Sequence, residues 1–143
     1  MPGAALTPRV RLMALCDAVK ASRLEAGVFD LRGVRNYISA ASFPSVPRRL
    51  WLYLLLSSPR KGRYPGYVRV IEDQVGETGK TILFSKIEPA PVFQEDDEFL
   101  PVPVRLTCEF PHPGRYIIQV WFFQEETPDV IKAEQLFDVL QEA

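Results

Sequence analysis

Chemistry-bearing residues are scarce in this chain: one histidine, two cysteines and two methionines among 143 residues. A zinc centre takes about four Cys, His or acidic ligands, usually in close pairs. Cys16, Cys108 and His112 are too few and too far apart in sequence for that, so no metal and no cofactor is expected. Two cysteines are also too few for a disulfide framework. The expected compartment is the cytoplasm, where both thiols stay reduced, although a Cys16–Cys108 bridge is not forbidden by the sequence. An excess of charge is missing too, with a formal net charge of −1. Nucleic-acid binders usually carry a basic footprint, so no nucleic-acid partner is expected. Neither a polybasic nor an amphipathic stretch argues for a membrane surface. The apolar run Leu50–Leu56 is far too short to span a bilayer as a helix. No apolar core follows a charged start at Met1–Pro8, so no secretory signal is expected.

What the chain has is punctuation. Thirteen prolines and eight glycines separate short apolar runs, the texture of an all-β domain. Residues 1–8 read as a flexible tail and 9–143 as a single domain. Strands are expected at Val10–Asp17, with Val10, Leu12, Ala14 and Cys16 on one side, and at Leu24–Val34. Arg49–Leu56 is apolar on both sides and reads as a central strand covered on both faces. Tyr67–Glu72 and Lys80–Ile87 flank a hairpin turn at Gly76–Gly79. Pro89–Pro101 reads as a long acidic loop. Val102–Cys108 alternates, with Val102, Val104, Leu106 and Cys108 inward and Pro103 pointing to a sheet edge. Arg115–Gln124 is the second double-sided strand. Thr127-Pro128-Asp129 turns the chain into Val130–Leu140, whose pattern fits a strand better than a helix. About eight strands, two of them covered on both faces, imply a two-sheet antiparallel β-sandwich.

Pro113-Gly114-Arg115-Tyr116 refines this. In immunoglobulin-like sandwiches a tyrosine near the start of a late strand bonds back to the backbone, and Tyr116 is placed for that role. The second cysteine of an antibody domain would fall at position 118, which is Ile, so the expectation is an immunoglobulin-like architecture without the inter-sheet disulfide. Leu15-Cys16-Asp17-Ala18, Gly27-Val28-Phe29-Asp30, Phe43-Pro44 and Pro113-Gly114-Arg115-Tyr116 together resemble a family of small bacterial proteins of unknown function. The resemblance runs from Val10 to Val139. It implies a cytosolic β-sandwich and carries over no catalytic residue.

No catalytic constellation emerges. His112 lies between two prolines and reads as a turn residue. Gly76–Thr81 ends in Gly-Lys-Thr but lacks the earlier glycine of a phosphate loop, and a strand rather than a helix follows. Glu95-Asp96-Asp97-Glu98 lacks the spacing of a calcium loop and reads as solvated. Arg48, Arg49, Arg60, Lys61 and Arg63 read as strand ends and loop. The surplus lies in aromatics. Trp121 and Phe123, with Trp51, Tyr64 and Tyr67, are candidates for an interaction surface. The leading expectation is therefore a non-catalytic protein-interaction or scaffolding module whose partner is another protein or a second copy. A small-ligand or carbohydrate-binding sandwich using Trp51, Tyr64 or Tyr67 is the alternative, and an enzyme assembled from loops is a third.

Overall fold

The computed structural model describes residues 7–73, 79–123 and 131–142. These form eleven strands: β1 (Arg9–Ala21), β2 (Phe29–Val34), β3 (Tyr37–Ala40), β4 (Arg48–Ser57), β5 (Gly62–Arg63), β6 (Gly66–Glu72), β7 (Thr81–Lys86), β8 (Val92–Phe93), β9 (Phe99–Cys108), β10 (Gly114–Phe122) and β11 (Ala133–Gln141). One sheet has the order β2-β1-β4-β9, the second β3-β11-β10-β6-β7, and β5 pairs with β8. All pairings are antiparallel except β11 with β3. The expected tail largely lies outside the described residues, as do most of the 76–79 turn and the 127–129 turn.

The architecture is an antiparallel β-sandwich. Neighbours β1-β4-β9 and β11-β10-β6-β7 correspond to strands A-B-E and G-F-C-C′ of an immunoglobulin sandwich. The corner tyrosine is in place: the Tyr116 hydroxyl donates to the His112 carbonyl oxygen at 2.6 Å. Its ring is fully buried, 5.1 Å from Phe110 and stacked on Phe137. Ile118 sits in the core where an antibody domain would carry cysteine.

Strand alternation fills the space between the sheets. Leu50, Leu52, Leu54 and Leu56 of β4 meet Val102, Val104, Leu106 and Cys108 of β9 on one side of the core, with Tyr116, Ile118, Val120 and Phe122 of β10 and Val68 and Val70 of β6 on the other. The strand at 133–141 places Phe137 and Val139 in the same core. β9 is an edge strand, and Pro101 and Pro103 lie within it, where they remove donors that another strand could use.

β1 departs from the sequence expectation. A bulge lies between Val10 and Leu12, so Val10, Met13 and Leu15 pack on the core while Ala14 and Cys16 face outward. One inserted residue exchanges every later side chain between faces, and Cys16 therefore does not share the core with Cys108. The two thiols are buried and free, on opposite sides of the same sheet. Burial raises both, Cys108 to about 12 and Cys16 with a smaller contribution from Asp17.

The outward-facing side of this sheet is covered by the chain itself. Ala21 pairs with Phe29, while Ala14 pairs with Tyr53. A straight β1 would hold Phe29 and Tyr53 roughly 20 Å apart at about 3.3 Å per residue, yet their rings are 5.9 Å apart. The far half of the β1–β2 hairpin is therefore bent back over the sheet. Within the hairpin Gly33, at φ +63°, faces the Asp17 side chain, which occupies the space a Cβ would need. Asp17 is itself held by Arg35 and approached by Arg48, which lower its pKa, the Arg35 hydrogen bond first. Val19, Phe29 and Leu31 then pack on Trp51, Tyr53 and Leu55.

Candidate interaction face

The five aromatics singled out from the sequence do not form one surface. Trp51 is half-buried on the outer side of the four-stranded sheet, beneath the folded hairpin, with the Arg105 guanidinium 5.8 Å from its ring. Tyr64 is buried at the end of the sandwich, its hydroxyl donating to the Arg60 carbonyl at 2.8 Å and its ring against Phe93 and Phe123. Phe123 is exposed at that same end and adopts a positive φ of 75°. Tyr67 and Trp121 lie on the outer side of the five-stranded sheet, and both are buried, Trp121 to 1% exposure. Trp121, Tyr64 and Tyr67 thus offer no free face, because neighbouring strands press other side chains against each.

Those neighbours define a different surface. The register across β7, β6, β10, β11 and β3 aligns the outward side chains in rows. The first row is Lys86, Tyr67 and Trp121, whose two aromatic rings stack 5.8 Å apart. Phe84 stands 6.0 Å from each ring, and the Arg69 guanidinium lies 5.3 Å over the indole. The second row is polar beyond Phe84. Arg69 Nε donates to Gln119 Oε1 at 2.5 Å, and Gln119 Nε2 donates to Glu134 Oε2 at 2.6 Å. The third row is aliphatic, with Ile71, Ile117 and Leu136. The fourth is charged, with Arg115 Nε donating to Asp138 Oδ1 at 3.0 Å beside Tyr37.

Phe84 is 43% exposed, Leu136 50%, Tyr37 49% and Leu140 46%, and all four point outward from this one sheet. No described element covers them. Single exposed apolar residues are ordinary, but several on one flat sheet face constitute a patch. The polar groups between them already satisfy one another, which lowers the cost of removing this face from water. Phe84, Leu136, Tyr37 and Leu140 were not singled out from the sequence. Only the register of the sheet, which gathers them from β7, β11 and β3, reveals them.

The remaining sequence candidates are structural in their contacts. His112 is not an isolated turn residue. Its Nε2 is 2.9 Å from Glu72 Oε1 and its Nδ1 2.9 Å from the Pro113 carbonyl oxygen. Glu72 is buried at the end of β6. Both neighbours of the ring accept hydrogen bonds, and only the imidazolium donates from both nitrogens. The Pro113 contact, followed by the Glu72 charge and hydrogen bond, raises the His112 pKa. Within the acidic run, Glu98 accepts from the amides of Gln94 and Glu95 at 2.7 and 3.0 Å, and Asp96 from that of Lys61 at 2.9 Å. Two of its carboxylates thus cap the local backbone. Among the described residues no three of His, Cys, Asp and Glu stand together as a metal site, and no helix is long and apolar enough to cross a membrane.

No protein-family model matches the chain, and no curated protein does so either. Similar solved structures do exist. An alkylpurine DNA glycosylase from Pseudomonas fluorescens, bound to DNA with an abasic site analogue, superposes with a TM-score of 0.56 at 11% identity over 96% of this chain. This chain spans only 31% of that enzyme's length. An immunoglobulin-like protein from Pseudomonas aeruginosa gives a TM-score of 0.47 at 14% identity, covering 96% of this chain and 99% of its own. A β-glucosidase from Thermotoga neapolitana in complex with glucose gives 0.48 at 12% identity, over 96% of this chain and 16% of the enzyme. Likeness at such identities is one of fold, and the fold that this chain has is the antiparallel immunoglobulin-like β-sandwich.

Proposed function

We propose that this chain is a non-catalytic protein-interaction module that docks through the outer face of the β3-β11-β10-β6-β7 sheet. The observation that carries the reading is the gathering of Tyr37, Phe84, Leu136 and Leu140, all exposed, on that one face. The neighbouring polar row is linked through Gln119, so a partner has fewer polar groups to satisfy there. The first partner to consider is a second copy of the chain, since a net charge of −1 sets up little repulsion between copies. Two buried, free thiols accord with a cytoplasmic protein, and the resemblance of the short motifs to a family of small bacterial proteins accords with a bacterial one.

Light scattering across a concentration series tests this. The expected result is a concentration-dependent dimer that Phe84→Arg together with Leu136→Arg converts to a monomer that still unfolds cooperatively, with some loss of melting temperature from the Phe84 contacts to Tyr67 and Trp121. If the native protein stays monomeric and the double variant retains every partner captured by the native one, the reading fails.

A further inference from the structure

On the opposite sheet, the hairpin leaves one end of the outer face open. The outward rows there run Leu12–Leu55–Pro101 and then Arg9–Ser57–Phe99, the last set by the pairing of Arg9 with Ser57 and of Ser57 with Phe99. The bulge in β1 lies at this point, and its consequence is chemical as well as geometric. Arg11, the residue inserted between Val10 and Leu12, turns back so that its Nε donates to the Ser57 hydroxyl at 2.7 Å. Arg9, the strand partner of Ser57, and Arg11, bonded to its hydroxyl, thus both border one serine. Bulges re-aim side chains in this way beside binding sites.

The residues enclose a cleft of about 330 Å³ lined by Arg9, Arg11, Ser57, Ser58, Asp97 and Phe99, with Pro59 at its rim. Ser57 and Ser58 are buried. Phe99 is 61% exposed and forms an open apolar wall. Asp97, at φ 60°, is tied by its amide to the Ser58 carbonyl at 2.9 Å and contributes the one carboxylate of the lining. Among the described residues, neither Arg9 nor Arg11 forms an ion pair, Asp97 included. Two guanidiniums against one carboxylate leave a net positive cleft.

We propose that this cleft binds an aryl oxyanion, an aromatic carboxylate or phosphate ester, with the anion between Arg9 and Arg11 and the ring against Phe99. Guanidinium forks pair with carboxylate and phosphate oxygens through charge-assisted hydrogen bonds. The Ser57 bond holds Arg11 in position before a ligand arrives, which reduces the entropy lost on binding. Asp97 opposes the anion, so affinity is held down rather than set by the arginines alone. This site is on the other sheet from the proposed docking face and does not depend on it.

Phenyl phosphate, benzoate and inorganic phosphate, each titrated into the whole protein and followed by amide NMR shifts, provide the test. Saturable shifts at residues 9–12, 57–59 and 97–99 are expected with phenyl phosphate or benzoate below about 10 mM, where a millimolar site is nearly full. The tighter of these two identifies the head group. Inorganic phosphate, lacking a ring, binds more weakly, and Phe99→Ala brings phenyl phosphate down to its level. Arg11→Gln weakens binding about tenfold or more, the loss expected for one charge-assisted hydrogen bond, and Asp97→Asn strengthens it. Arg32→Gln removes an exposed charge outside the cleft and leaves affinity unchanged. Absence of saturable shifts, or equal losses in Arg11→Gln and Arg32→Gln, overturns the proposal. All these variants alter exposed or cleft-lining side chains, and a melting curve for each confirms that the fold is kept.

Discussion

Two side chains at the β9–β10 turn show how single hydrogen bonds hold this sandwich. The Tyr116 hydroxyl reaches back to the His112 carbonyl from a fully buried ring. Tyr116→Phe keeps the aromatic contacts with Phe110 and Phe137 and removes only that bond. The expected cost is about 1 kcal/mol, rising toward ~2 kcal/mol if the carbonyl finds no water, measured by urea denaturation at constant m. His112 adds a pH-dependent contribution. Its pKa in the folded protein lies above the ordinary 6.5. Protonation is thus favoured by folding, the stabilisation is complete below about 6.5 and it fades as pH rises through the folded value. His112→Gln should therefore lower the melting temperature at pH 6 and leave it nearly unchanged at pH 9. An equal loss at both pH values would mean that the imidazolium contributes nothing beyond its packing.

At the scale of elements, what the sequence makes legible depends on whether a strand is regular. Val102–Cys108 could be read from alternation because no bulge interrupts β9, and Arg49–Leu56 because both of its sides are buried. In β1 the same reading puts Cys16 in the core, and the Arg11 bulge reverses it. The extra residue leaves no mark on the hydrophobic pattern, since Leu12 and Met13 are apolar on either side of the exchange. β3 escaped for another reason. Four residues, Tyr37–Ala40, carry too little pattern, and their partner β11 is about a hundred positions away. The fold-back of the hairpin is likewise invisible in the pattern of Leu24–Val34, because it shows only in the contact of Phe29 with Tyr53 on another strand. Phe29→Ala tests it. Removing a half-buried ring from Tyr53 should cost about 2 kcal/mol, below the ~3–5 kcal/mol of a fully buried phenylalanine. Because Phe29 belongs to the cover over Trp51, tryptophan emission should also shift to the red. Unchanged emission and stability would show that the hairpin does not depend on this contact.

For the molecule as a whole, the two outer faces differ in kind. One is covered in part by the chain's own hairpin, which leaves the Arg9–Ser57–Phe99 end open, and its edge strand β9 is blunted by prolines. The other keeps exposed apolar side chains around a polar row that is already paired. From sequence, the largest aromatics were the natural candidates for such a surface, but size favours burial, and Trp121 and Tyr67 are buried. The exposed members are smaller or nearer the ends of their strands, and only alignment across several strands brings them together. The nature of this face leads to one further expectation about association. Arg69 and Glu134 are joined through Gln119, and Arg115 pairs with Asp138, so most of the charges on this face already have a hydrogen-bond partner, with Lys86 at its edge the exception among the rows described. Docking driven by Phe84, Leu136, Tyr37 and Leu140 should then be insensitive to salt, because screening weakens exposed charge pairs and leaves apolar burial intact. Raising the ionic strength from about 0.1 M to about 1 M shortens the screening length roughly threefold, yet the association constant should hold or increase. By contrast, Phe84→Arg alone should weaken it about thirtyfold or more, since the variant gives up an apolar ring at the interface and must bury a charge in its place. A dimer that dissolves in salt while tolerating Phe84→Arg would place the interface on a charged surface elsewhere on the sandwich.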